Sequence, residues 1–184
     1  MRDYSCGYLK EENSSGWGFD TNVFERRLEF VKKYSWAIPN DDALDFLVSV
    51  SPIVEIGAGT GYWASLIQEK GGTIYPFDIQ PYNNAWCDGN HTDVFLGGPE
   101  SVLNFQDCTL FLCWTPYDDT LASDTLKLYT GDRVVFVGEW DDGCNKDDEF
   151  FRILGSDWKL EKRIEIPRFP GVNDELYSLV RISK

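Results

Sequence analysis

Ile53-Val54-Glu55-Ile56-Gly57-Ala58-Gly59-Thr60-Gly61-Tyr62-Trp63-Ala64 is the stretch that decides how this chain folds. A short apolar run carrying one carboxylate leads into three glycines at every second position, and a helical pattern follows. The segment reads as strand, tight turn, helix. Glycine accepts φ > 0 and lets a ligand lie against bare peptide. The helix start adds unpaired N–H groups and the positive end of a dipole. Nucleotide-binding folds use this arrangement at the carboxyl edge of a parallel sheet.

Spacing narrows the ligand. A dinucleotide fingerprint, G-x-G-x-x-G, would place its third glycine at position 62. Tyr62 stands there, and Gly61 comes one residue early. An NAD-dependent oxidoreductase is therefore disfavoured. Glu55 lies two residues before Gly57, at the end of the expected strand. This Glu-x-Gly-x-Gly-x-Gly pattern resembles motif I of the class I S-adenosylmethionine-dependent methyltransferases. The resemblance implies S-adenosyl-L-methionine as cofactor, with Glu55 reaching the amino group of its methionine part. Gly57, Ala58, Gly59 and Gly61 would pass under the ribose and methionine. Such a ligand brings an ammonium to be paired rather than a pyrophosphate to be cradled.

The rest of the chain alternates in the order that such a fold requires. Residues 1–20 carry glycine, serine and acidic residues without periodicity, and read as a mobile arm or lid. Residues 21–50 hold two helices: one opened by a capping box at Asn22–Glu25, one capped by Asn40. Val23, Phe24, Leu28 and Val31 form the apolar face of the first. The Rossmann-like core spans 51–184, and the whole chain is expected to be one domain. Its strands are expected at 53–56, 73–77, 93–96, 109–114 and 133–137, with helices after Gly61, over 121–129 and over 149–154. Apolar residues at every second position in Trp158–Ile166 and Leu176–Ile182 predict two further strands, each with one wet side. The fold class is α/β: a doubly wound, mostly parallel sheet closed by an antiparallel hairpin, with an N-terminal helical extension.

Candidate site residues fall at the carboxyl ends of these strands. Asp78 ends the second strand, where a carboxylate accepts from ribose hydroxyls in doubly wound nucleotide folds. Gly97-Gly98-Pro99-Glu100 follows the third, where the resemblance implies an adenine-contacting loop served by Gly98 and Glu100. Cys113-Trp114-Thr115-Pro116-Tyr117 follows the fourth, in the place of motif IV beside the methyl group. The amino-methylating branches carry Asn/Asp-Pro-Pro-Tyr/Phe there. Pro116 and Tyr117 match its last two positions, whereas Trp114 and Thr115 depart from it. That departure puts a nucleic-acid-base amino acceptor in doubt. Glu139 ends the fifth strand as a base or orienting group. Tyr34, Trp36 and Asn40 precede the first strand and would border the acceptor; Tyr34, Trp36 and Tyr117 could form an aromatic cage. The string Leu110–Tyr117, with Gly131–Glu139 behind it, also resembles small methyltransferase-like proteins of unassigned substrate.

Composition bounds the partners. The chain has 184 residues, with 17 Lys and Arg against 31 Asp and Glu, for a net charge of −14. A nucleic-acid binder needs a basic stripe. The nearest approach to one is Arg26, Arg27, Lys32 and Lys33, on the expected solvated face of the first helix. Nucleic acid is thus disfavoured as acceptor against a small molecule or a protein side chain. Five cysteines, an odd number without a C-x-x-C pair, suggest reduced thiols and a cytoplasmic setting. No apolar run has the length of a membrane span, and the first residues lack a signal-peptide pattern. No metal is expected, because Cys87 and His91 have no second pair to complete a tetrahedron. Ser-His-Asp sets and P-loops are absent. Methyl transfer is the expected activity, a non-catalytic cofactor-binding module is its alternative, and oligomeric state is left open.

Overall fold

A computed structural model of the chain describes residues 21–82, 88–116, 118–140 and 147–182. The expected arm over 1–20, Cys87 and Tyr117 lie outside them, as does the side chain of Asn22. Among the described residues, seven strands form one sheet: β1 (Ile53–Ile56), β2 (Ile74–Asp78), β3 (Phe95–Leu96), β4 (Thr109–Cys113), β5 (Arg133–Gly138), β6 (Trp158–Glu165) and β7 (Glu175–Arg181). Their order is β3-β2-β1-β4-β5-β7-β6. The first five are parallel, and β7 runs antiparallel between β5 and β6. The helices are α1 (Thr21–Lys33), α2 (Asp41–Ser49), α3 (Tyr62–Glu69), α4 (Leu121–Leu128) and α5 (Asp148–Asp157).

Two-residue alternation divides the core. Ile53, Phe111, Cys113, Val135 and Val137 face one layer, with Leu44 and Leu47 of α2 and Trp63 and Ile67 of α3. Val54, Ile56, Leu110, Leu112, Val134 and Phe136 face the other, with Leu126 of α4 and Phe150 of α5. Strands covered on both faces read as continuous apolar runs, which is why β1, β4 and β5 were legible. Each fully buried Leu, Ile, Val or Phe contributes roughly 1.5–3 kcal/mol. Glu55 belongs by register to the first face, opposite Phe111. It is the one carboxylate in a strand otherwise made of Ile and Val.

The expected α/β fold and its closing hairpin are what the structure shows. Three local differences have physical reasons. β3 is only two residues long, because Asp93 and Val94 lie outside the pairing with β2. Pro99–Asn104 is a 3-10 helix that the Gly-Pro turn signal concealed, and Val102 anchors it in the second core layer. Among the described side chains of α1 the buried ones are Arg27 and Val31, so the helix turns a cation inward where charges were expected to face solvent.

Candidate functional site

Local chemistry makes the strand-to-helix turn after β1. Gly57, Gly59 and Gly61 all hold positive φ, at +79°, +58° and +74°. Side chains avoid that region because Cβ approaches the carbonyl oxygen. Gly61 caps α3, and a Cβ there would lie 2.8 Å from Thr92 Cγ2 and 2.9 Å from Val94 Cγ2. The Gly57 and Ala58 N–H groups both donate to Phe77 O, at 2.9 and 3.0 Å. Asp78 completes the docking: Oδ2 accepts from Gly59 N at 2.8 Å and Oδ1 from Gln80 N at 2.8 Å. Gly57, Ala58 and Gly59 stay half-buried, leaving the turn a solvent-facing edge.

Glu55 stands behind this turn, 2% exposed, and its Oε2 has no hydrogen-bond partner among the described residues. Burial pushes its carboxyl up to about 8, and the neighbouring Asp78 charge adds to the rise. An orphaned buried carboxyl costs free energy unless something pairs it. An ammonium-bearing ligand seated over the turn would pair it. The three glycines give such a ligand bare backbone to rest on. Asp78 has lone pairs left for hydroxyl donors, since a carboxylate offers about four acceptor positions. The residues present therefore fit the cofactor that the motif implies.

The second half of the carboxyl edge is built from rings. Trp114, just past β4, holds φ +49°, a left-handed conformation that a bulky side chain adopts only under constraint. Its backbone N–H donates to Val137 O at 3.0 Å, and its indole Nε1 donates to Asp174 Oδ1 at 2.8 Å. Trp36 stacks on it, with centroids 5.6 Å and planes 20° apart. Asp174 is 1% exposed, and burial raises its carboxyl to about 7 against the lowering influence of Arg27. The buried Cys113 thiol is pushed up by burial and then by the fields of Glu55 and Asp174. Cys113 thus stands between the two carboxyls electrostatically.

The remaining candidates are placed as follows. Glu139 Oε1 accepts from Asn173 N at 2.8 Å, tying the end of β5 to the β6–β7 connection. Glu100 Oε1 accepts from Gly98 N at 3.2 Å and closes the start of the 3-10 helix. Pro116 is exposed, after the buried Thr115. Tyr34 packs on Phe30, Tyr62 and His91, and its carbonyl accepts from Thr60 Oγ1 at 3.3 Å. Asn40 caps α2 by accepting from Ala43 N at 2.9 Å, and donates to Glu165 O at 2.8 Å. His91 sits against Lys33 O at 2.9 Å, joining the end of α1 to the segment before β3.

Solved structures share this architecture. A protein in the NADB-Rossmann superfamily from Streptococcus agalactiae is 15% identical, covering 77% of this chain and 68% of its own, with a TM-score of 0.50. Magnesium protoporphyrin IX methyltransferase from Synechocystis PCC 6803, solved with bound S-adenosylmethionine, is 13% identical, covering 97% and 90%, with a TM-score of 0.50. The chain shares with them a Rossmann-like, doubly wound α/β fold. No family model and no curated protein matches it. Likeness at such identity speaks for the fold and leaves the substrate to the site itself.

Within this fold, sequence reading missed four residues at the edge. Ile79, 54% exposed, presents an apolar face next to Asp78 and close to Gly98. Its signal was an isolated branched apolar residue at the head of a polar turn. Asp174 and Phe169 lie in the Pro/Gly connection before β7, where nothing in the local pattern marks them. Arg27 was hidden by its charge. Among the described residues, no helix is long and apolar enough to cross a membrane.

Proposed function

We propose that this protein binds S-adenosyl-L-methionine along Glu55, Gly57–Gly61 and Asp78 and transfers its methyl group to an acceptor. The observation that carries the reading is the buried, unpartnered Glu55 Oε2 behind three left-handed glycines. Glu55 pairs the ligand ammonium, Asp78 accepts from the ribose hydroxyls, and Ile79 with Gly98 and Glu100 borders the base. When bound, the cofactor supplies a methyl on a sulfonium, already activated for in-line displacement. The chain's task is then to orient the acceptor and exclude water with an aromatic wall. Trp114 and Pro116 belong to that wall after β4, Cys113 lies beneath it, Trp36 closes it from the N-terminal side, and Tyr117 is assigned to the acceptor by the motif IV resemblance alone. Tyr34 and Asn40 position that N-terminal segment, and Glu139 orients the far end.

Acidic composition and a ring-lined edge favour a small cationic molecule or a protein side chain as acceptor over nucleic acid. Incubation with methyl-labelled cofactor and fractionated metabolite and peptide pools tests transfer: label should enter a small-molecule or peptide fraction, and Tyr117→Ala should abolish it. Arg27 packed against the ring wall favours one second reading, a non-catalytic cofactor-binding module. Tight cofactor binding with no label in any pool would favour the module over the enzyme.

A further inference from the structure

Arg27 is the residue of α1 that the fold has least reason to bury. It is 7% exposed, with its guanidinium carbon 4.7 Å from the centroid of Trp114, 5.1 Å from that of Trp36 and 5.5 Å from that of Phe169. Nη2 donates to Trp36 O at 3.4 Å, the long limit of a hydrogen bond, and Nε is buried with no hydrogen-bond partner among the described residues. Asp174 stands close enough for its carboxyl to feel the cation, and Glu139 close enough to feel Asp174.

The Trp114 face of the wall is fixed independently of its occupant. Trp114 is held in its left-handed conformation by Val137 O and by Asp174, both outside α1. Strain of this kind persists only where the surroundings enforce it, and it concentrates at ligand clamps. The occupant is the poorly satisfied partner: a guanidinium with five donors in a fixed fork, resting on ring faces with one donor orphaned. A solvated surface position would have cost it nothing. Rings that attract a cation, an acid behind them and an imperfectly seated internal cation are the marks of a binding site filled by a stand-in.

The geometry points to a guanidinium-binding site formed by Trp36, Trp114, Phe169 and Asp174, which Arg27 fills from within the chain and which takes a guanidinium group from outside when Arg27 leaves. As the acceptor's seat it rests on the methyl-transfer reading; as a cation site it does not. The guanidinium can be borne by a free metabolite or by an arginine side chain of another protein, and the recognition chemistry is the same.

Arg27→Ala in the full chain tests it. Thermal unfolding is followed with methylguanidinium chloride at low millimolar concentration, against sodium chloride at equal ionic strength. A ligand that binds only the folded form raises the melting temperature with concentration. The variant should show a methylguanidinium-specific rise, absent in the wild type and lost again in Arg27→Ala/Trp36→Ala. No specific rise in the folded variant, or an equal rise in the wild type, overturns the proposal. Should Arg27→Ala not fold, Arg27→Gln, which keeps most of the side-chain volume, takes its place with the same two outcomes. Titration with L-arginine and with N-acetyl-arginine methylamide then assigns the source: preference for the first supports a free metabolite, for the second a protein side chain. Calorimetry with S-adenosylhomocysteine on the same samples separates the two readings. Heat from that ligand without a methylguanidinium effect sinks the guanidinium site alone, and the reverse sinks the cofactor reading alone.

Discussion

The two halves of the sheet's carboxyl edge are made of different materials. Between β1 and β2 the surface is backbone: three left-handed glycines, N–H groups held by Phe77 O and Asp78, and a carboxyl with a free oxygen behind them. Beyond β4 it is side chain: two stacked indoles, a phenyl ring, a buried acid and a cation already in place. The first half is unsatisfied and awaits a donor. The second is satisfied by the chain itself, apart from one nitrogen. A cofactor site has to be ready whenever its ligand is present, whereas a site for a second, reactive ligand gains selectivity from an internal competitor that must be displaced.

The largest effect expected from this contrast is on pH dependence. Glu55 is raised from 4.5 to about 8 and Asp174 from 3.8 to about 7. Folding therefore keeps protons that the unfolded chain has released. Their contribution to stability is full below the unfolded values and is lost as pH rises through about 7 and about 8. Urea unfolding from about pH 4 to about pH 9 should show ligand-free stability falling by several kcal/mol across that window. Glu55→Gln should remove the contribution that falls from about pH 4.5 and ends near pH 8, and Asp174→Asn the one that falls from about pH 3.8 and ends near pH 7, so that only the Glu55 part is left above about pH 7. A flat or rising profile would break the comparison by showing that neither acid is held neutral.

Asp78→Ala comes next. Asp78 grips Gly59 N and Gln80 N even without ligand, and hydrogen bonds to a charged group are worth roughly 1.5–3 kcal/mol each. The variant should lose about 3 kcal/mol of ligand-free stability and at least about tenfold in affinity for S-adenosylhomocysteine, measured by denaturant melts and calorimetry. Unchanged stability with unchanged affinity would remove Asp78 from both roles. Gly61→Ala should cost about 1–2 kcal/mol, since its left-handed φ penalises a side chain and Thr92 and Val94 crowd the added carbon. Its damage should stay on the backbone-built half, leaving the methylguanidinium response of Arg27→Ala intact. The smallest effect expected is none: with Arg27 turned inward, the four-residue basic cluster loses a member from the surface. Duplex DNA or RNA at low-micromolar protein and physiological salt should show no mobility shift, and a clean shift would return nucleic acid to the list of acceptors.

The contrast also explains what could be read from the sequence. The backbone-built half was legible because a left-handed turn demands glycine at fixed positions, so Gly57, Gly59 and Gly61 write the conformation into a few adjacent letters. Glu55 stood out as a charge in an apolar run, and Asp78 by its place at a strand end. Asn40 announced its cap through the helical pattern after it. The ring-built half gathers residues 27, 36, 114, 169 and 174, which no local period connects. Arg27 lies four residues before the buried Val31 and seven before Tyr34, the spacing of one helix face. A rule that turns charges outward overrides that spacing. Trp114 could be placed at the strand end, but its left-handed backbone follows from Val137 and Asp174, contacts that only the tertiary fold supplies.

The central claim is that Glu55 is a neutral buried acid waiting to ionise against a ligand ammonium. Calorimetric titration of S-adenosylhomocysteine in buffers of different ionisation heat tests it directly. For the wild type near neutral pH, we expect binding with release of about one proton, tightening as pH rises towards about 8. Glu55→Gln should bind more weakly and lose most of that release. Absence of heat from the folded wild type, or identical affinity and proton release in the two proteins, would contradict the account.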